Sequence, residues 1–192
     1  MSGSYDVLIV GVGGQGTILA SNILGEACLI EGKSVRGAET HGMAQRGGSV
    51  ETHIRIGGKY GPLISPGTAD LIISFDLLEA LRYSHFLKEG GVIITNTETI
   101  IPTSAFQHDA DVPGQEDILN LLSGRDVITV DAAALALEAG TILTQNVVML
   151  GAASPYIPLA VESLKEAVRR SVPPKTVDTN LKAFDLGRGA PE

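Results

Sequence analysis

Six residues, GVGGQG at 11–16, constrain this chain more than any others. They follow the branched apolar run YDVLIV at 5–10 and precede a stretch in which Ile18, Leu19, Ile23, Leu24, Ala27 and Ile30 fall near helical spacing, with Gly32 just beyond. A short run of this kind reads as a buried strand, and the helical period after it reads as an amphipathic helix. Gly11, Gly13 and Gly16 also satisfy GxGxxG, the spacing that lets backbone pass close to a phosphate facing a helix N-terminus. The acid on the ribose side would be Glu39, 23 residues after Gly16. Two readings of the turn stand at this point. One is a dinucleotide site, which would make the chain a stand-alone Rossmann-type nucleotide-binding protein. The other is a tight strand-to-helix turn seated against a neighbouring subunit or an unrelated phosphate group.

The pattern downstream extends the α/β theme. KSVRGAE at 33–39 predicts a second strand, and Ser49–Ile56 alternates, with Val50, Ile54 and Ile56 on one side and Glu51, His53 and Arg55 on the other. That alternation predicts a half-buried strand, which Gly57 and Gly58 would turn into a hairpin returning through Tyr60 to Ile64. ADLIISF at 69–75, a helix over 76–87, GGVIITN at 90–96 and DVITVD at 126–131 follow, with a long loop over 97–114. Helices are expected over 145–154, 158–171 and 175–184, separated by the Pro155 to Pro158 break and by Pro173 and Pro174. The expected fold is a three-layer Rossmann-like α/β sandwich: a mainly parallel sheet, an inserted β-hairpin and a C-terminal helical segment, all in a single domain over 1–192.

The densest information lies in RGAETHGMAQRGGSV, residues 36–50. Two arginines, an acid, a histidine, a glutamine and four glycines in fifteen residues make poor core and poor helix. Such a segment forms a shaped polar surface. Arg46 offers a planar fork for a carboxylate or phosphate, and its flanking glycines admit a ligand to the main chain. An ion pair with Glu39, or a contact between chains, accounts for the same residues.

Composition removes several function classes. A single cysteine, Cys28, rules out an intrachain disulfide and an iron–sulfur cluster ligated by this chain alone; its place in the first helix reads as a buried, inert thiol. His41, His53, His85 and His108 show no metal-ligand spacing, and no metal is expected. GxSxG and P-loop signatures are absent, so nothing supports a self-sufficient hydrolase or kinase. The net charge of −8 repels nucleic acid and anionic membrane surfaces. No stretch reaches the 18 uninterrupted apolar residues of a membrane span, and a cytoplasmic address is expected by default.

GVGGQG followed by RGAETHGMAQRGGSV resembles the gamma-type domain of the 2-oxoacid:ferredoxin oxidoreductases, in the form found in the indolepyruvate branch. ADLIISFD at 69–76, NVVMLGA at 146–152 and NLKAFDLG at 180–187 extend the likeness over essentially the whole chain. The resemblance implies the small subunit of a complex that oxidatively decarboxylates arylpyruvates to acyl-coenzyme A. Thiamine diphosphate and [4Fe–4S] clusters would sit in a larger alpha subunit, electrons would leave to ferredoxin, and coenzyme A would be co-substrate. This chain would hold no cofactor alone; its apolar richness and low charge are compatible with an obligate interface, so a homodimer is expected when it is isolated. Gly11, Gly13, Gly14 and Gly16, with Gln15 among them, match the family's glycine turn. Glu39, Gly42, Gln45, Arg46 and Gly47 match its second motif, which implies that Gln45 and Arg46 face the partner's cofactor cleft or a coenzyme A phosphate. Thr40, His41, Gly42 and Met43 replace the tyrosine- or proline-containing version of pyruvate-type members, a departure that favours arylpyruvates.

Overall fold

A computed structural model describes residues 3–41, 48–58, 60–101 and 112–190. Six strands form one sheet: β1 (Tyr5–Val12), β2 (Val35–His41), β3 (Ser49–Ile56), β4 (Ala69–Ser74), β5 (Leu87–Asn96) and β6 (Asp126–Val130), in the order β2-β3-β1-β4-β5-β6. β1, β4, β5 and β6 pair in parallel, while β3 runs antiparallel to both β1 and β2, so it alone runs against the rest. The helices are α1 (Thr17–Ile30), α2 (Leu77–Tyr83), α3 (Gln115–Leu121), α4 (Ala132–Ala139), α5 (Gln145–Ala153), α6 (Val161–Ser171) and α7 (Val177–Arg188).

β1 sits mid-sheet, and its side chains alternate between two cores. Val7 and Ile9 pack with α1 and the C-terminal helices; Leu8 and Val10 pack with Ile64, α2 and α3. Those two cores separate three layers, as the alternation of strands and helices implies. No single helix among the described residues is long and apolar enough to cross a membrane. α4 and Ile142–Tyr156 pass that test only as a pair bent by 120°.

The hairpin differs from expectation. β3 pairs with β2, from Val35↔Ile56 to His41↔Val50, and 60–64 forms no strand. Gly57 and Gly58, at φ 75° and 74°, turn the chain out of the sheet and across its face. There the Ile64 amide donates to His53 Nδ1 at 3.1 Å, and Arg55 Nη1 donates to the Gly61 carbonyl. On the polar side of β3, His53 and Arg55 are therefore buried, at 3% and 9% exposed, while Glu51 is intermediate. Arg55 makes a two-pronged ion pair with Asp6, Nε to Oδ1 at 2.8 Å and Nη2 to Oδ2 at 2.7 Å, which supplies the partner that a buried charge requires. Two short helices, α3 and α4, went unpredicted, and the helix expected to reach residue 87 ends at Tyr83, followed by a 3-10 turn over Ser84–Phe86. Cys28 is fully buried, and that burial pushes its thiol up to about 11, as an inert thiol requires.

Residues 146–153 of α5 are buried throughout, so this helix is core on every side. It crosses α7 at two glycines. A Cβ on Gly151 would stand 2.1 Å from the Phe184 carbonyl oxygen, and one on Gly187 would stand 2.0 Å from that of Val148. Both obstacles are helix backbone, which cannot swing aside. Overpacking a core costs roughly 1–3 kcal/mol, and more where nothing can yield. Gly151→Ala and Gly187→Ala should each cost at least about 3 kcal/mol in urea unfolding. A loss under about 1 kcal/mol would show that the two helices can separate.

Candidate functional site

In open α/β sheets, ligands bind outside the carboxyl ends of the strands, where connections leave to opposite faces. Here that point lies between the parallel neighbours β1 and β4: β1 leads into α1 on one face, and β4 into α2 on the other. The glycine turn forms one wall. Gln15 folds back into it, its Oε1 accepting from the Val12 amide at 2.7 Å while its Nε2 donates to the Phe75 carbonyl at 3.0 Å. A Cβ on Gly11 would meet Gln15 Oε1 at 2.8 Å, and one on Gly16 would meet Asn146 Nδ2 at 2.8 Å. Gly14 and Gly16 take φ of 108° and 85°, left-handed values that favour glycine. Three of the four glycines thus answer to the packing and bending of the turn itself.

Sheet pairing brings Gly48 and Ser49, which follow the second motif, to this wall. β3 runs back along β1 as far as Val12↔Ser49, and the Gly13 amide donates to the Gly48 carbonyl at 2.9 Å. Gly42, Gln45, Arg46 and Gly47 lie outside the described residues. Their segment leaves from the end of β2 and returns at Gly48, beside the glycine turn. Glu39 is placed differently: it is exposed, opposite Thr52, on a strand separated from β1 by β3. Two strand spacings of about 4.8 Å set that strand about 10 Å from β1. A dinucleotide fold needs its ribose acid on the strand adjoining the glycine turn. The inserted antiparallel strand occupies that position, and the stand-alone nucleotide reading loses its second element.

Opposite the glycine turn lies an acidic wall outside both glycine motifs. Asp76, fully buried, caps α2: Oδ1 accepts from the Glu79 amide at 3.0 Å and Oδ2 from the Ile100 amide at 2.5 Å. Glu79, 2% exposed, accepts from the Ser49 hydroxyl and lies 3.4 Å from Arg82 Nε; Ser49 Oγ is also 3.0 Å from the Tyr83 hydroxyl. Burial raises both carboxyls above their ordinary range, against the backbone amides that hold Asp76 and against Ser49 and Arg82 beside Glu79. Farther along the same edge, Asn96 Nδ2 donates to the Phe75 carbonyl at 3.2 Å. Asp-x-x-Glu directly after an apolar strand is a helix-start signature, so Asp76 and Glu79 were detectable. Ser49, Asn96 and Asn146 carry no local signal, because their partners lie far along the chain.

Among the described residues, the two walls are a glycine turn and a pair of buried carboxyls, Asp76 and Glu79, held in polar contacts. The family model for pyruvate ferredoxin/flavodoxin oxidoreductase matches residues 6–190, and the chain belongs to that family. Indolepyruvate oxidoreductase subunit IorB of Pyrococcus horikoshii is 46% identical over 189 residues, covering 95% of this chain and 94% of that one. Among solved structures, the gamma subunit of a keto/oxoacid ferredoxin oxidoreductase from Geobacter sulfurreducens is similar, with a TM-score of 0.69 and 26% identity over 95% of both chains. The pyruvate oxidoreductase subunit PORC of Thermotoga maritima shares the fold, with a TM-score of 0.75 and 23% identity over 100% of this chain and 98% of that one.

Because the Glu79 carboxyl is raised on folding, its stabilising contribution is fully present below its unfolded value, near 4.3, and is lost as pH rises through the folded value. Gln carries no such charge. The melting temperature of Glu79→Gln relative to wild type should therefore climb between pH 4.5 and 8. A difference that stays flat across that range would mean that Glu79 is solvated.

Proposed function

We propose that this chain is the small subunit of a 2-oxoacid:ferredoxin oxidoreductase that converts arylpyruvates, indolepyruvate among them, to acyl-coenzyme A. The observation that carries this reading is the 46% identity to an indolepyruvate oxidoreductase subunit over 95% of the chain. The bond from the Gly13 amide to the Gly48 carbonyl at the carboxyl edge supports it. Electrons would leave through the complex to ferredoxin.

The chain's own residues support a larger partner. Cluster ligation takes several thiolates, and the single cysteine is buried with its thiol raised to about 11. GDG, the opening of a thiamine-binding signature, does not occur in the sequence. Thiamine diphosphate and the [4Fe–4S] clusters, which supply decarboxylation and electron transfer, are accordingly assigned to the larger subunit. This chain contributes a wall. The glycine turn, stapled by Gln15 to the end of β4, fixes one side, and Gly48, which follows the segment holding Gln45 and Arg46, is bonded to it. Arg46 would fork onto a coenzyme A phosphate or the 2-oxoacid carboxylate, and Gln45 would supply a neutral hydrogen bond beside it. Without the partner, the isolated chain would associate as a homodimer.

In the assembled complex, Arg46→Ala should raise KM for coenzyme A or for the 2-oxoacid and lower kcat/KM by about ten- to a hundredfold, the loss of a hydrogen bond to a charged group. The isolated variant should melt as wild type does. A destabilisation of about 3–5 kcal/mol would mark Arg46 as half of a buried ion pair. Unchanged kinetics would remove it from the cleft.

A further inference from the structure

On the α1 face of the sheet, a groove of about 530 Å³ separates α1 from β2, the strand at the edge. It exists because facing positions lack side chains: Gly37 on β2, and Gly25 on α1, where an added Cβ would meet nothing within 4 Å. Ile18 and Leu29, 50% and 64% exposed, form its apolar rim. Its floor includes Thr52, 1% exposed, whose hydroxyl is the only buried side-chain polar atom among the described residues without a hydrogen-bond partner. Leaving a buried hydroxyl unpaired is costly, and native structures rarely do so without a reason.

Two further features specify what belongs there. Among the described residues β2 pairs only with β3, so its outer backbone groups meet no other described strand, and Val35–His41 contains no proline to blunt that edge. The lining carries two carboxylates, Glu26 and Glu39, and no lysine or arginine. Arg170 holds Glu26 at 3.0 Å, whereas Glu39 forms no ion pair with a described residue. An unpaired edge beside an apolar slot with an acidic rim suits strand addition, in which main-chain bonds give affinity and alternate side chains enter pockets.

We infer that this groove receives an extended segment of the larger partner subunit. The segment adds a strand along β2 and turns an apolar side chain in between Gly25 and Gly37. It also brings a hydrogen-bonding group to Thr52, and a lysine or arginine to Glu39. The inference rests on the proposed two-subunit complex.

The test is the affinity of the purified chain for its co-expressed cluster-bearing subunit, compared among wild type, Gly25→Leu, Glu39→Lys and Thr52→Val, with Leu121→Ser on the opposite layer as control. Gly25→Leu fills the groove from a position with free space, and Glu39→Lys changes an exposed residue, so it decides the question should the first variant fold poorly. Gly25→Leu and Glu39→Lys should each weaken the complex at least tenfold, and the control should not. Thr52→Val should melt no lower than wild type when isolated, yet bind the partner more weakly. Wild-type affinity in all three variants would overturn the groove assignment and leave the complex standing. Loss of self-association with partner affinity intact would assign the groove to a second copy instead. A wild-type chain that binds no such subunit would overturn both this inference and the proposed function.

Discussion

Eight residues of β3 run antiparallel along β1, from Tyr5↔Ile56 to Val12↔Ser49, and the bond from the Gly13 amide to the Gly48 carbonyl carries that pairing past the end of the strand. Everything at the carboxyl edge depends on this contact. Register in a sheet admits no partial slip, because moving one residue exchanges the two faces. With Thr52, Ile54 and Ile56 fixed toward α1, and His53 and Arg55 fixed toward the 60–64 segment, Gly48 and Ser49, which follow the second glycine motif, are held beside the first. The same pairing displaces β2 outward, which separates Glu39 from the glycine turn and leaves β2 at the edge of the described sheet.

The crevice is held from both sides by groups that satisfy one another. The Phe75 carbonyl accepts from Gln15 and from Asn96, and its amide donates to the Val10 carbonyl at 2.9 Å. Asn146 reaches Gly16 from α5, the helix that meets α7 at Gly151 and Gly187. The position of the glycine turn is thereby linked to a helix crossing near the other end of the sequence. That linkage gives a physical reason for the two C-terminal segments, NVVMLGA and NLKAFDLG, that share in the family likeness: they are the two sides of this crossing.

Much of the frame was legible in the sequence. Apolar runs located β1, β4 and β6, and helical spacing located α1 and the last helices, since those signals are local. The alternation of β3 was read correctly as a strand and wrongly as half-buried. Period alone does not reveal that Asp6 and the Ile64 amide satisfy the polar side. The two glycines after β3 suggested a return strand, although they serve to lift the chain out of the sheet. At the site, the glycine turn could be read directly and the Asp76–Glu79 cap could have been. Ser49, Asn146 and the glycine pair at 151 and 187 could not, because each is explained by a contact far along the chain.

We propose that the chain completes an active site it cannot form alone. The direct test is anaerobic reconstitution, measuring coenzyme A-dependent ferredoxin reduction with indolepyruvate by the larger subunit before and after this chain is added. Activity should be absent or minor for the larger subunit alone, and should rise to a plateau at a fixed ratio of the two chains. Full turnover by the larger subunit alone, unchanged on addition, would contradict the account.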